Sequence, residues 1–244
     1  MSPTLERPFS LEDFEPMLKK LFESEATAAV IGGMAVSAWA EIFLHPEEHA
    51  DFDLPIYSKD LDLRGTKLIA TFLMSEFQAQ GAEAHGMATA TRKAAPHMGR
   101  IFAVMYRWRG FRTSVEVLER LPGLDSSLDD APVGSALATN RGISLLDPCS
   151  LFICKLHAAN TRPGEGANND AKHLAILSRV IPRFLEKVRV TALPEYDAKE
   201  DAERLLRKLE ACASGKDPFQ VPIDPVEHDA LLAALRGHLA SAGM

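Results

Sequence analysis

Ser58-Lys59-Asp60-Leu61-Asp62-Leu63 is the stretch on which the reading of this chain turns. Side chains alternate faces along an extended strand, so Asp60 and Asp62 share one face while Leu61 and Leu63 turn to the core. Two carboxylates one pleat apart lie roughly 6–7 Å from each other. At an effective dielectric near 20 they repel by about 2–3 kcal/mol, which a divalent cation would offset. Taken by themselves, two aspartates on a solvent-facing strand edge fit the same letters.

Upstream, an uncharged run over residues 26–40 is too short to span a bilayer and is split by Gly32-Gly33. It reads as a buried strand over 28–31, a glycine turn that lets a ligand approach the main chain, and a helix over 34–43. Before it, Ser10 caps an amphipathic helix over 10–25. After it, residues 44–57, with Pro46 and Pro55, read as a loop insertion.

Downstream, 66–80 reads as a helix, and 101–108 with 112–118 as a hairpin around Arg109-Gly110-Phe111. A loop over 121–130 and short strands within 133–146 follow. From Asp147 the pattern turns helical, over 147–160, 169–188, 195–213 and 225–240, with Pro182 expected to kink or end the second of these. Residues 161–167, with Pro163, Gly164 and Gly166, read as a mobile loop. An α/β part over 1–146 therefore precedes a helical part over 147–244.

The second hairpin strand carries Ser114-Val115-Glu116-Val117-Leu118. Glu116 falls on the opposite face from its two β-branched neighbours. If this strand pairs with the Asp60–Asp62 strand, three carboxylates gather, a set suited to two-metal phosphoryl or nucleotidyl transfer. A solvated Glu116, with Glu119 competing for the role, is the other reading.

A net charge of −7 argues against a general nucleic-acid coat. Three cysteines without a C-x-x-C pair suit reduced thiols and a cytoplasmic setting. The first residues, Met1-Ser2-Pro3-Thr4-Leu5-Glu6-Arg7, lack the order of a signal peptide. One basic cluster, Arg92, Lys93, Arg100, Arg107, Arg109 and Arg112, is interleaved with Tyr106, Trp108 and Phe111. It reads either as a stacking platform for RNA or a triphosphate tail, or as an edge hairpin protected by cations. His45-Pro46-Glu47-Glu48-His49 fits H-x-x-E-H, but zinc hydrolysis needs it inside a long helix, and Pro46 places it in a loop. No G-x-S-x-G occurs, and Cys149 and Cys154 lie in an apolar helix stripe.

In chain order, Gly32-Gly33, an apolar helix, Asp60-Leu61-Asp62-Leu63 and Val115-Glu116-Val117 resemble the signature of the DNA polymerase β-like nucleotidyltransferase superfamily. Within it the chain is most similar to the AbiEii/AbiGii-type toxin nucleotidyltransferases. Leu146-Asp147-Pro148 leading into a helix with Lys155, then Arg162, then Asp170 with Leu174 and Leu177, is similar to the downstream pattern of that family. The resemblance covers residues 28–178. It departs in the long spacing from Gly33 to Asp60, in Met34 where many relatives carry Ser or Thr, in Glu rather than Asp at the third carboxylate, and in Asn169 and His173.

The resemblance implies an α+β fold, a nucleotidyltransferase-like mixed β-sheet flanked by helices and followed by a C-terminal helical part. It implies a Mg²⁺-dependent enzyme moving an NMP from an NTP to a hydroxyl of tRNA, protein or a small molecule, with a cognate antitoxin as partner and no membrane. Gly32 and Gly33 would cradle the nucleotide phosphates. Asp60 and Asp62 would hold the metal, with Glu116 as third ligand or base. Lys155 would neutralise the triphosphate with help from Arg162, and Asp170 would orient Lys155 or a metal-bound water. The departures support an alternative, a catalytically degenerate relative that binds nucleotide or protein.

Overall fold

Helix α1 (Leu11–Glu23) starts where the sequence places it: the Ser10 N–H donates to Asp13 Oδ2 at 3.1 Å, satisfying a backbone group the helix itself cannot. It belongs to a computed structural model that describes residues 9–24, 28–58, 60–90, 100–124, 136–139, 142–162, 164–191 and 198–241. Phe14, Met17, Leu18 and Leu21 form its buried stripe. Helix α4 (Lys67–Ala79) buries Ile69, Ala70, Leu73 and Phe77 at the same spacing.

These two helices cover one face of a mixed sheet. Its described strands are β1 (Ala29–Val30), β2 (Asp60–Arg64), β3 (Glu83–Ala90), β4 (Ile101–Trp108), β5 (Phe111–Leu118), β6 (Ala136–Ala138) and β7 (Ser144–Leu146), in the order β3-β4-β5-β2-β1-β7-β6. The covered face carries Phe102, Val104, Tyr106 and Trp108 of β4 and Val115 and Val117 of β5. Phe14 of α1 and Phe77 of α4 meet it: Phe77 stacks on Tyr106 with centroids 4.4 Å apart, and Phe14 lies 5.8 Å from Trp108. β4 and β5 turn through Arg109 and Gly110, both with positive φ, the backbone of a two-residue hairpin. β3 is absent from the sequence expectation because Ala84, Gly86 and Ala88 lack the bulky alternation that marks a strand.

The chain divides into two compact units. The first, Met1–Ala35, Pro55–Leu121 and Asp125–Leu146, holds the sheet with α1 and α4. The second joins Asp147–Met244 with Val36–Leu54 and Pro122–Leu124. The helix α2 (Gly32–Phe43) begins in the first unit and ends in the second.

In the second unit α5 (Pro148–Thr161) is capped by Asp147, whose Oδ1 accepts from the Ser150 N–H at 2.8 Å. α5 packs on α6 (Glu165–Thr191), and α6 and α7 (Ala198–Ala213) both pack on α8 (Pro225–Ser241). The expected end or kink at Pro182 is corrected in one respect: α6 runs through it to Thr191. A proline inside a helix costs about 3 kcal/mol. Leu174, Leu177, Val180, Ile181, Phe184, Leu185 and Val188 are buried along α6, each contributing roughly 1.5–3 kcal/mol. Burial wins. The same helix already starts at Glu165, which shortens the loop expected over 161–167 to a break of a few residues. Residues 44–57 are likewise not all loop, since α3 (Pro46–Asp51) forms within them.

Candidate active site

β2 and β5 are parallel neighbours, with Asp60 opposite Ser114 and Asp62 opposite Glu116. Paired strands lie about 4.8 Å apart, so directly opposed residues are side by side on one face. Leu61, Leu63, Val115 and Val117 are buried on the face covered by α1 and α4. Asp60, Asp62 and Glu116, all half-buried, therefore stand on the face turned away from those helices. Sequence reasoning made the gathering of these carboxylates conditional on one strand pairing, and the structure contains that pairing.

Ser114 is a member that sequence reasoning missed. Its Oγ donates to Asp60 Oδ1, and only its place one pleat before Glu116 could have pointed to it. The bond fixes one aspartate oxygen and leaves the second for other contacts.

β1 brings the glycines to the same spot. The Ile31 N–H donates to the Asp62 carbonyl at 2.9 Å, and α2 begins at the next residue. Gly32 has φ +72°. A Cβ built there would fall on Asp62 Oδ2 and lie 3.1 Å from both Cβ and Cγ of that residue. The glycine pair opens α2, and Gly32 keeps the positive φ of the expected turn. The leading N–H groups of a helix have no acceptor within it, and they carry the positive end of its dipole. Met34 is buried in the core and offers nothing to a ligand.

Among the described residues no group of three or more His, Cys, Asp or Glu is drawn together as a protein-only metal cage requires. Mg²⁺ seldom uses one: one or two carboxylates plus substrate phosphates commonly suffice. Asp60, Asp62 and Glu116 supply hard oxygen donors only, which fits Mg²⁺ and does not fit a softer metal.

The second unit holds a separate charged group. Lys155 on α5 is ion-paired to Asp170 on α6 at 2.8 Å, with the aspartate side chain 2% exposed. Arg162, just past the end of α5, reaches the other Asp170 oxygen at 3.5 Å. It lies outside the helix, so it shares no helical face with Lys155. His173 Nδ1 is 3.7 Å from Asp170, beyond hydrogen-bond reach. Burial raises the Asp170 carboxyl, but the Lys155 ammonium bonded to it and the Arg162 guanidinium, with the His173 ring nearby, outweigh it and hold the group below the usual carboxylate value. Burial, and then the Lys155 ammonium, push His173 down to about 4, so it is neutral near pH 7. The structure brings Lys155, Arg162 and Asp170 together, and adds His173, which the sequence marked only as a departure.

The other constellations resolve structurally. His45 caps α3, and Glu48 pairs with Arg183 at 2.6 Å, so the H-x-x-E-H letters hold a six-residue helix in place. Tyr106 and Trp108 are buried against Phe77 and Phe14, so neither is free to stack on bases. Arg92 and Lys93 lie outside the described residues. The edge reading of the hairpin is also corrected, since β4 and β5 are interior strands and β3 is the edge. All three cysteines are free thiols; burial pushes Cys154 up to about 12 and Cys149 well above its ordinary value, which removes them as nucleophiles. No helix among the described residues is long and apolar enough to cross a membrane.

No family model matches the chain. No curated protein matches it either. Among solved structures it is similar to the crystal structure of the Megavirus polyadenylate synthase, with a TM-score of 0.41 and 10% identity over 97% of this chain and 51% of that one. The chain thus spans about half the length of that protein.

Proposed function

We propose that the protein is a metal-dependent nucleotidyltransferase that moves an NMP from an NTP to a hydroxyl acceptor. The observation that carries this reading is the parallel register of Asp62 with Glu116, with Asp60 one pleat away and the glycine start of α2 against Asp62. Asp60 and Asp62 would hold Mg²⁺, which when bound neutralises charge on the triphosphate and the departing pyrophosphate. The N–H groups at the start of α2 would bind phosphate oxygens. Glu116 would take the proton of the acceptor hydroxyl. The acceptor oxygen then bonds to the α-phosphorus as the bond from that phosphorus to the bridging oxygen breaks, and pyrophosphate leaves.

On the resemblance over residues 28–178, Lys155 and Arg162 are proposed as phosphate-handling cations, with Asp170 positioning the lysine. The same resemblance extends the proposal to a toxin held in check by a partner antitoxin. Growth arrest on expression, relieved by Asp62→Ala, would support that setting.

The enzymatic test is transfer of label from [α-³²P]NTPs to cellular RNA and protein. Asp62→Ala and Glu116→Gln should each reduce turnover by at least about 100-fold without unfolding the chain. Full turnover in either variant discards the site. ATP binding that is absent or indifferent to Mg²⁺ in the wild type favours the degenerate binding module instead.

A further inference from the structure

Four described arginines lie on the β4–β5 hairpin or at its base, and they are not equivalent. Arg100 is tied to Glu119 at 2.7 Å, and Arg109 to Asp13 at 2.8 Å while lying over the Trp108 ring. Arg107 and Arg112 are exposed, stand directly opposite each other in the hairpin, and form no ion pair among the described residues. Glu83 on β3 faces Arg107 in register but makes no ion pair with it. Like charges set opposite in paired strands destabilise a sheet. Edge protection does not account for Arg107, which lies between Glu83 of β3 and Arg112 of β5, while Arg112 precedes the start of the β2–β5 pairing at Ser114.

Their position does. Arg112, Ser114 and Glu116 succeed one another at two-residue steps on β5, and Asp60 and Asp62 flank the last two on β2. The arginine pair therefore shares the carboxylate face, roughly 14–16 Å from Asp62 by strand spacing and rise. Met105, half-buried, lies between it and Glu116's neighbour Ala103 on β4. The glycine start of α2 touches the opposite end of the row, at Asp62. A nucleotide held there leaves the arginines for a second anion on the same face. Two guanidinium forks side by side suit successive phosphates of a chain, each able to take two oxygens.

We infer that the acceptor is a single-stranded polynucleotide whose phosphates lie on Arg107 and Arg112, with its terminal hydroxyl directed toward Asp60 and Asp62. This rests on the transferase reading for the role of the strand, but not for its binding.

The test is fluorescence anisotropy of the whole protein with short 5′-labelled RNA and DNA oligonucleotides over a range of salt. Arg107→Gln/Arg112→Gln should weaken binding on the order of tenfold or more, and lower the slope of log affinity against log salt by about 1.4. Arg107→Lys/Arg112→Lys should keep most of that slope, and circular dichroism should show all three proteins folded. Wild-type affinity matched by the double glutamine variant overturns the inference. So does a poly-glutamate peptide that competes as well as the oligonucleotide. ATP titration of the wild type separates the two readings: oligonucleotide binding that depends on the arginines in a protein that binds no ATP sustains the inference and ends the transferase.

Discussion

A side chain on Gly32 would have to occupy the space held by the carboxylate of Asp62. The glycine is needed twice, for that approach and for its φ of +72°. Gly32→Ala should therefore destabilise the protein by more than the roughly 1–3 kcal/mol that a left-handed residue costs by backbone strain. Gly81→Ala is the matched comparison, because Gly81 has φ +80° and, among the described residues, nothing within 4 Å of the added carbon. Urea unfolding of the two variants should separate the strain from the collision, and only Gly32→Ala should also disturb nucleotide binding.

Lys155 and Asp170 form a buried pair, and breaking one side leaves a charge without its counterpart. Lys155→Met or Asp170→Asn should each cost about 3 kcal/mol, somewhat softened in the first case by Arg162 at 3.5 Å. The double variant Lys155→Met/Asp170→Leu should recover most of the loss. A double-mutant cycle in urea measures the coupling, and strictly additive losses would show that the pair does not act as one.

His173 has its pKa lowered to about 4 from 6.5, because it is buried and then because Lys155 is near. Between those values the unfolded chain binds a proton that the native protein refuses. Its contribution is complete above pH 6.5 and declines as the pH falls toward 4, by up to about 3 kcal/mol. His173→Gln should flatten that part of the stability curve. Unfolding midpoints measured across the interval give the comparison.

Asp147 moves the other way. Burial, then the charge of Asp201, raises its pKa well above the usual carboxylate range, and its buried Oδ2 has no hydrogen-bond partner among the described residues. The native state keeps a proton that the unfolded chain gives up, so stability falls as the pH rises through the native value. Above pH 6.5, where His173 is neutral in both states, this loss should stand alone. Asp147→Asn keeps a cap for α5 and removes the titration, so its melting temperature should overtake that of the wild type in mildly alkaline buffer.

The sequence makes the carboxylate face legible because Leu61, Leu63, Val115 and Val117 alternate strictly with the acids. Alternation fixes which face a residue takes, although it is silent on which strands become neighbours. The parallel pairing of β2 with β5 joins segments about fifty positions apart, and only the fold supplies it. Ser114 was hidden for the same reason. The glycine reading holds in its physical part, since Gly32 has a positive φ and lies against Asp62, while α2 begins two residues earlier than the expected start at Met34. For the hairpin aromatics the sequence leaves the platform reading open beside the edge reading, and burial of Tyr106 and Trp108 assigns those two to the core. Nothing in Val36–Leu54 announces that it folds with the C-terminal helices, since its partners lie far along the chain, Arg183 135 residues beyond Glu48 and Phe184 145 beyond Trp39.

That last arrangement governs how the chain can mature. A ribosome releases Trp39, Phe43 and Glu48 long before Phe184 and Arg183 emerge. For that interval the second half of α2 has aromatic surface and no place to bury it. A nascent polypeptide that has emerged from the ribosome as far as position 146 has every described strand of its sheet outside, yet carries an unsatisfied sticky helix. Translation stalls in this region should consequently recruit chaperones more strongly than stalls near the end.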